Sequence, residues 1–283
     1  MKVLVTGVSG QLGYAVSKAL LEHKIATLGV DIGDFDIRNK TETERAIMQY
    51  RPTAIIHCAA YTAVDNAEED RNKCYEINVT GTANVASVCK MIGAKMMYIS
   101  SDYVFSGYGN SEPHQVGDKT NPVNWYGETK LEGEKNIQIQ LKEFFIVRSS
   151  WAFGKNGSNF VLKMLELGKQ RDEVSVVCDQ IGSPTYTEDL AELLCNMIQT
   201  EKYGIYHATN EGFCSWADLA KEVFRLAGYS TAVKPVLSLE YQAKAKRPLN
   251  SRLSKEKLDE MGFHRLPLWQ DGLHRYLHNI GII

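Results

Sequence analysis

The first half of the chain alternates short, nearly continuous apolar runs with segments of helical periodicity. "KVLVTG" is a strand-like run ending at Gly7, and apolar positions then recur from Leu12 through Val16 to Leu20, one helical turn apart. "ATLGVD", "TAIIHCAA", "AKMMYISS" and "EFFIVRSS" are four further strand-like runs. Helical stretches separate them, and "TGTANVASVCKMIG" closes on Gly93 as a C-cap glycine would close it. Strands apolar along their whole length, spaced by helices, predict a parallel sheet covered on both faces: an α/β fold of the doubly wound, Rossmann type.

After Trp151 the rhythm loosens. "NFVLKMLELGKQR" reads as a helix, "VSVVCD" as a strand, and "SPTYTEDLAELLCNMI" as a turn leading into a helix. "GIYHATN" reads as a strand, "SWADLAKEVFRLAG" as a helix, and the Pro- and Arg-bearing sequence from Val233 onward as irregular. This predicts a main domain over 1–150 and a smaller one over 151–283, with a strand near 204–210 returning to the main sheet. No internal repeat or low-complexity linker separates the two, so they are expected to pack together.

Composition narrows the classes. Of 283 residues 44% are hydrophobic and 23% charged, with net charge −2 and both signs spread along the chain, so no nucleic-acid or anionic-membrane surface is expected. No apolar run approaches the roughly 18 residues of a membrane span. "MKVLVTGVSG" breaks at Gly7 and Gly10 and is not read as a signal peptide. The six cysteines (Cys58, Cys74, Cys89, Cys178, Cys195, Cys214) lie far apart and read as buried thiols of a cytoplasmic protein. His264, His274 and His278 have no Cys or carboxylate cluster beside them, and no metal site is expected.

"VTGVSGQLG" sets Gly7, Gly10 and Gly13 between the first strand and first helix. Gly7 permits the tight turn, Gly10 lets backbone N–H groups approach a pyrophosphate, and Gly13 lets helix and strand pack closely. The positive end of the helix dipole then faces the phosphates, and Gln11 and Leu12 join the same wall. A dinucleotide, NADH or NADPH, is the expected cofactor. Asp31 ends the second strand, where a carboxylate can accept from the adenosine ribose hydroxyls and favour NAD; a merely solvated strand-end Asp is the other reading. Asp36 and Ile37 are placed beside the adenine.

In "NWYGETK", Tyr126 stands four residues before Lys130, on one helix face, with Pro122 and Asn124 marking the helix start. A phenol is a slow proton donor at neutral pH, and an ammonium one turn away lowers its pKa. Lys130 can also hold a nicotinamide ribose. Ser100 and Ser101 close an apolar strand at the edge where ligands bind in such sheets. Tyr103 and Tyr108 are competing phenols without a lysine four residues on, and read as packing or substrate-lining residues.

The Gly7–Gly10–Gly13 turn followed by Tyr126 and Lys130 resembles the extended short-chain dehydrogenase/reductase family, with T-G-x-x-G-x-x-G and Y-x-x-x-K. Aligned with that family's S-T-D-x-V-F pattern, Ser101 takes the Ser/Thr role, polarising a carbonyl. Dehydratases of the family carry Thr-Asp-Glu here, the last two as acid and base. Ser101-Asp102-Tyr103 keeps the acid position but has tyrosine for the base, so reduction is expected and water elimination is not. Asp102 is left a hydrogen-bonding or a structural role.

"AAYTAVDNAEED", "SSDYVFSG", "RSSWAFG", "DQIGSPTYTEDLA" and "RPLNSRLSKEKL" are similar to the dTDP-4-dehydrorhamnose reductases, nearly end to end. The resemblance implies reduction of the C4 keto group of dTDP-4-dehydro-L-rhamnose, with Tyr126 protonating the C4 oxygen and Lys130 and Ser101 assisting. It implies that Trp151 lines the sugar pocket, although a core tryptophan at a domain junction is the plainer reading. It also implies that Cys58, Ala59, Ala60 and Tyr61 run along the cofactor and that Asn159 reaches the substrate diphosphate. Arg247 and Arg252, in a Pro-bearing loop, suit a diphosphate clamp, since arginine binds such oxygens bidentately. Some members hold Mg²⁺ at a dimer contact built from glutamates. Gln11 occupies one such position, so that metal and that dimer are not expected, while a homodimer of another kind stays open. Two rivals share the fold: a non-catalytic binding subunit like the regulatory subunit of methionine adenosyltransferase, and a nucleotide-sugar 4-epimerase.

Overall fold

The computed structural model describes residues 1–108, 111–241 and 243–283. Its first half runs β1 (Lys2–Thr6), α1 (Gln11–Glu22), β2 (Ala26–Val30), α2 (Lys40–Tyr50), β3 (Ala54–His57), α3 (Val64–Ala67), α4 (Arg71–Tyr75), α5 (Thr82–Ile92), β4 (Lys95–Ser101), α6 (Trp125–Gln140) and β5 (Phe144–Ser149). Then follow β6 (Ala152–Phe153), α7 (Phe160–Gln170), β7 (Glu173–Val177), β8 (Ile181–Gly182), β9 (Thr185–Tyr186), α8 (Thr187–Ile198) and β10 (Gly204–His207). The chain finishes with β11 (Cys214–Ser215), α9 (Trp216–Ala227), β12 (Ala232–Val236), α10 (Glu256–Glu260) and α11 (Trp269–Asn279). None of the helices is long and apolar enough to cross a membrane, among the described residues.

The main sheet has six parallel strands in the order β10-β5-β4-β3-β1-β2. Alternate residues of its strands feed two cores. Val3, Val5 and Ile56 face Val16, Leu20 and Leu194, whereas Leu4 and Ile55 face Ile47, Val88 and Ile137. The chain runs from β1 outward to β2 on one side and then crosses back past β1 to β3 on the other, so the strand order reverses at β1 and the ligand crevice lies beyond the C-terminal ends of β1 and β3. A third core, with Val161, Leu165, Val176, Phe224 and Leu273, joins α7, α9, α11 and β7.

The tail read as irregular from Val233 is partly ordered: β12 pairs with β7, and α10 and α11 follow. In α11 Trp269, Leu273, Tyr276 and Leu277 keep helical spacing and are buried, although Gly272 and two histidines interrupt the pattern.

Two local devices shape the crevice. Gly7 has φ of +72°, and a Cβ on Gly13 would lie 2.2 Å from the Gly7 carbonyl oxygen, so only glycines let α1 begin this close to β1. Between α4 and α5 the chain widens into a π-helical turn, Glu76–Gly81. It turns Asn78 inward, where Oδ1 accepts from the Tyr61 N–H at 2.8 Å and Nδ2 donates to Thr129 Oγ1 at 3.0 Å.

Candidate active site

A cavity of about 1020 Å³ opens beyond β1, β3 and β4. One end is the glycine turn, with Gly7, Gly10, Gln11, Leu12 and Gly13, and the ridge of Asp31, Asp36 and Ile37. Cys58, Ala59 and Ala60 line the middle. The far wall carries Ser101, Asp102, Tyr103, Tyr126, Lys130 and Trp151.

The glycine end is built for an anion. Gly10 caps α1 without a side-chain bond, and no acidic residue sits in the first turn. Asp31 braces the turn: Oδ2 accepts from the Ser9 N–H and Oδ1 from the Ile32 N–H, each at 2.8 Å. Asp36 is gripped by Arg38 at 2.7 Å, and that bond holds its carboxyl below the usual range. Arg38, absent from the expectations above, lines the cavity and also reaches Glu76 at 3.3 Å.

At the far wall, Asn124 caps α6, its Oδ1 accepting from the Gly127 N–H at 2.8 Å. This places Tyr126 in the first turn and Lys130 one turn on. Gly127 lets the helix start touch the short 3₁₀ turn Asp102–Val104, for its Cβ would lie 2.2 Å from the Tyr103 carbonyl oxygen. Ser101 Oγ donates to Asp102 Oδ1 at 2.8 Å and accepts from the Tyr103 N–H at 3.1 Å. Tyr103 meets Tyr126 edge to face, with centroids 5.8 Å apart. Asp102 Oδ2 is buried without a partner among the described residues.

The charges of this wall follow from burial. Burial raises the Tyr126 phenol above its ordinary value, the Asp102 charge adds to this, and Ser101 opposes it. The sequence expectation was a phenol lowered by Lys130; here burial raises it instead, and the opposing pull comes from Ser101. Lys130 is itself brought down to about 7 by burial, with Glu134 opposing. Asp102 is pushed up to about 6 by burial, with the nearby Ser251 and Ser101 hydroxyls opposing.

Trp151 has φ of +48°, a left-handed conformation rare for a bulky residue and often found where a site imposes it. Its ring stacks on Trp216 at 3.7 Å and 14°, and both line the cavity. Trp216 comes from the start of α9 and carries no local signal that would have singled it out.

Four expected site residues stand off the cavity. Tyr61 points its hydroxyl to Asp70 Oδ2 at 3.0 Å. Asn159 caps α7, while its Nδ2 donates to Gln11 Oε1 at 2.9 Å and to the Tyr276 hydroxyl at 3.1 Å. Arg247 is paired with Asp65, at 3.1 and 2.7 Å. Arg252 donates to Asn250 Oδ1 at 3.0 Å and lies 5.8 Å from the Phe213 ring.

Comparison with known proteins accords with this architecture. The family model described as RmlD substrate binding domain matches residues 1–282. The spore coat polysaccharide biosynthesis protein SpsK of Bacillus subtilis is 38% identical, covering 98% of this chain and 96% of that protein. The dTDP-4-dehydrorhamnose reductase of Aggregatibacter actinomycetemcomitans is 36% identical, covering 96% and 97%. A crystal structure of dTDP-4-dehydrorhamnose reductase from Bacillus anthracis in complex with NADP superposes with a TM-score of 0.95 and 42% identity, covering 99% of this chain and 100% of that one. On the full-length match and the shared Rossmann architecture, the chain belongs to the family of the dTDP-4-dehydrorhamnose reductases.

Proposed function

We propose that this protein reduces the C4 keto group of dTDP-4-dehydro-L-rhamnose to an alcohol, with NADH or NADPH as reductant and Tyr126 as proton donor. The observation that carries the reading is the joining of Ser101, Tyr126 and Lys130 on one wall of a cavity whose other end is the glycine turn. The cradle fits a dinucleotide: side chains at Gly7 or Gly13 would strike backbone, at Ala59 N and at the Gly7 carbonyl oxygen, and would force apart the tight turn that brings the α1 N-terminus up to a diphosphate. Bound there, the cofactor supplies a hydride to C4.

Everything else falls to the chain's own residues. The α1 N-terminus holds the diphosphate, and Asp31, Asp36, Ile37 and Arg38 flank the adenosine end. Ser101 Oγ hydrogen-bonds the C4 oxygen while charge develops on it. The raised phenol of Tyr126 keeps its proton at neutral pH, which suits a donor, and delivers it to that oxygen. The Lys130 ammonium lies one turn behind and stabilises the phenolate left there. Trp151, backed by Trp216, offers a flat apolar wall for a pyranose. Tyr103 in place of a carboxylate removes the base that dehydration needs. Residues 1–150 with β10 then serve the cofactor, and most of 151–283 the sugar nucleotide. The free thiols suit a reducing, cytoplasmic setting.

The test is oxidation of NADH and of NADPH in the presence of dTDP-4-dehydro-L-rhamnose. Turnover lost on Tyr126→Phe is the expected result. No oxidation with any keto sugar would turn the reading towards a binding subunit, and tightly held NAD with interconversion of sugars towards an epimerase.

A further inference from the structure

Lys130 is 2% exposed, yet among the described residues its Nζ donates no hydrogen bond and joins no ion pair. It rests instead on a ring: Nζ lies 4.0 Å from the ring centroid of Tyr98, a fully buried residue of β4. We propose that Tyr98 is a positioning residue for the reduction, its ring face seating the Lys130 ammonium beneath Tyr126.

The register between β4 and α6 makes this seat. Two residues along a strand and four along a helix both span about 6–7 Å. Tyr98 and Ser100 therefore meet Lys130 and Glu134 in step. Ser100 Oγ donates to Glu134 Oε1 at 2.5 Å, and the Tyr98 hydroxyl donates to the Lys130 carbonyl at 3.4 Å. Gly133 allows the approach, for a Cβ there would lie 2.4 Å from the Tyr98 hydroxyl. His57 stacks on the ring with centroids 5.9 Å apart, so the ring cannot tilt away freely.

Other groups around the ammonium offer it little. From α6 it faces Tyr126 and Glu134, and the Glu134 carboxylate is already bound by Arg148 at 2.8 Å. From β3 and the residue after it come His57 and Cys58, and from α4 Cys74. Burial keeps that imidazole neutral, down to about 3, and pushes the Cys58 thiol up to about 12. The negative face of the Tyr98 ring is the partner that favours a cation while leaving its N–H groups for ligands on the cavity side. With Lys130 brought down to about 7 by burial, even a modest attraction changes how much of it is charged at neutral pH.

The inference rests on the proposed reductase reading for its catalytic half only. The test replaces Tyr98 by Phe, by phenylalanines bearing one to three ring fluorines, and by Leu. Fluorine drains the ring face of negative charge with little change of shape, so folding is not at stake. Lys130 is titrated by NMR with ¹³Cε-labelled lysine, assigned by Lys130→Arg, and the alkaline limb of kcat/KM is recorded beside it. Tyr98→Phe should leave both where they are. Each added fluorine should move both to lower pH, towards a total near half a unit to one and a half units, the size of a buried cation–π contact. A midpoint indifferent to fluorine, or one that rises in Tyr98→Leu as water enters, overturns the proposal. A midpoint that moves while the limb of an active enzyme does not overturns the positioning role. A protein that turns over no keto sugar but shows the fluorine series keeps the ammonium seat and fails only the reductase reading.

Discussion

Glu134 and Arg148 form a two-point ion pair behind the active-site helix: Nε donates to Oε1 at 2.9 Å and Nη2 to Oε2 at 2.8 Å. Their side chains are 1% and 4% exposed, and Arg148 also donates to the Val116 carbonyl at 3.2 Å. The pair pins α6 to β5. Removing one partner strands the other charge out of water. Arg148→Met is expected to lower stability by about 3–5 kcal/mol, and the double change with Glu134→Met by less than either single change. Urea unfolding of the three variants checks the order; a double variant weaker than both singles would refute it.

Tyr126→Phe removes the proposed proton and little else, since the ring still packs against Tyr103. The expected outcome is a fall in kcat of about 10²–10⁴-fold with cofactor affinity nearly unchanged. Steady-state rates together with NADPH fluorescence titration separate the two quantities. Equal losses in both would mean that the phenol serves binding.

Arg38 carries a prediction about cofactor choice. Its guanidinium lies on the cavity beside Asp31 and Asp36, where a 2′-phosphate would be met. Arg38→Ala should raise KM for NADPH by about tenfold and leave that for NADH within about twofold, since a charge-assisted bond is worth roughly 1.5–3 kcal/mol. A parallel rise for both cofactors would assign Arg38 to loop structure, through its bonds to Asp36 and Glu76.

Two buried histidines set the acid limit of stability. Burial holds both His57 and His207 down to about 3, with the charges of Lys130 and Arg148 acting in the same sense. The unfolded chain takes up these protons near pH 6.5, while the folded one refuses them until about 3. Their stabilisation is therefore complete above about pH 6.5 and is lost as pH falls towards 3, by up to about 1.4 kcal/mol per pH unit for each. Urea midpoints between pH 7 and pH 5 should fall, and His207→Gln should flatten that slope. An unchanged slope would show that His207 takes up its proton in the folded state.

How much of this was legible from residues alone depends on where each requirement is written. Gly7, Gly10 and Gly13 state a backbone demand through their spacing, and Tyr126 and Lys130 state a shared face through theirs. The seating of Lys130 on Tyr98 is not legible, because it needs the register of β4 against α6. Arg38 was missed because it reaches the cavity only when the segment after β2 folds back. Trp216 was missed because it meets Trp151 from an element formed much later in the chain. Arg247 was read as a diphosphate ligand from its charge. Its pairing with Asp65, 182 residues away, is a tertiary fact that no local pattern announces.

Strand β10 also bears on how the molecule is made. It closes the open side of β5 only after about 55 intervening residues have been synthesised. At ~5–20 residues per second a ribosome needs several seconds for that stretch. During those seconds the nascent chain presents an apolar edge with unpaired backbone, the kind of surface on which chains adhere to one another. The glycine turn, Ser101, Tyr126 and Lys130 have all been made by then, so the parts of the site wait on a sheet whose edge stays open until Gly204 emerges.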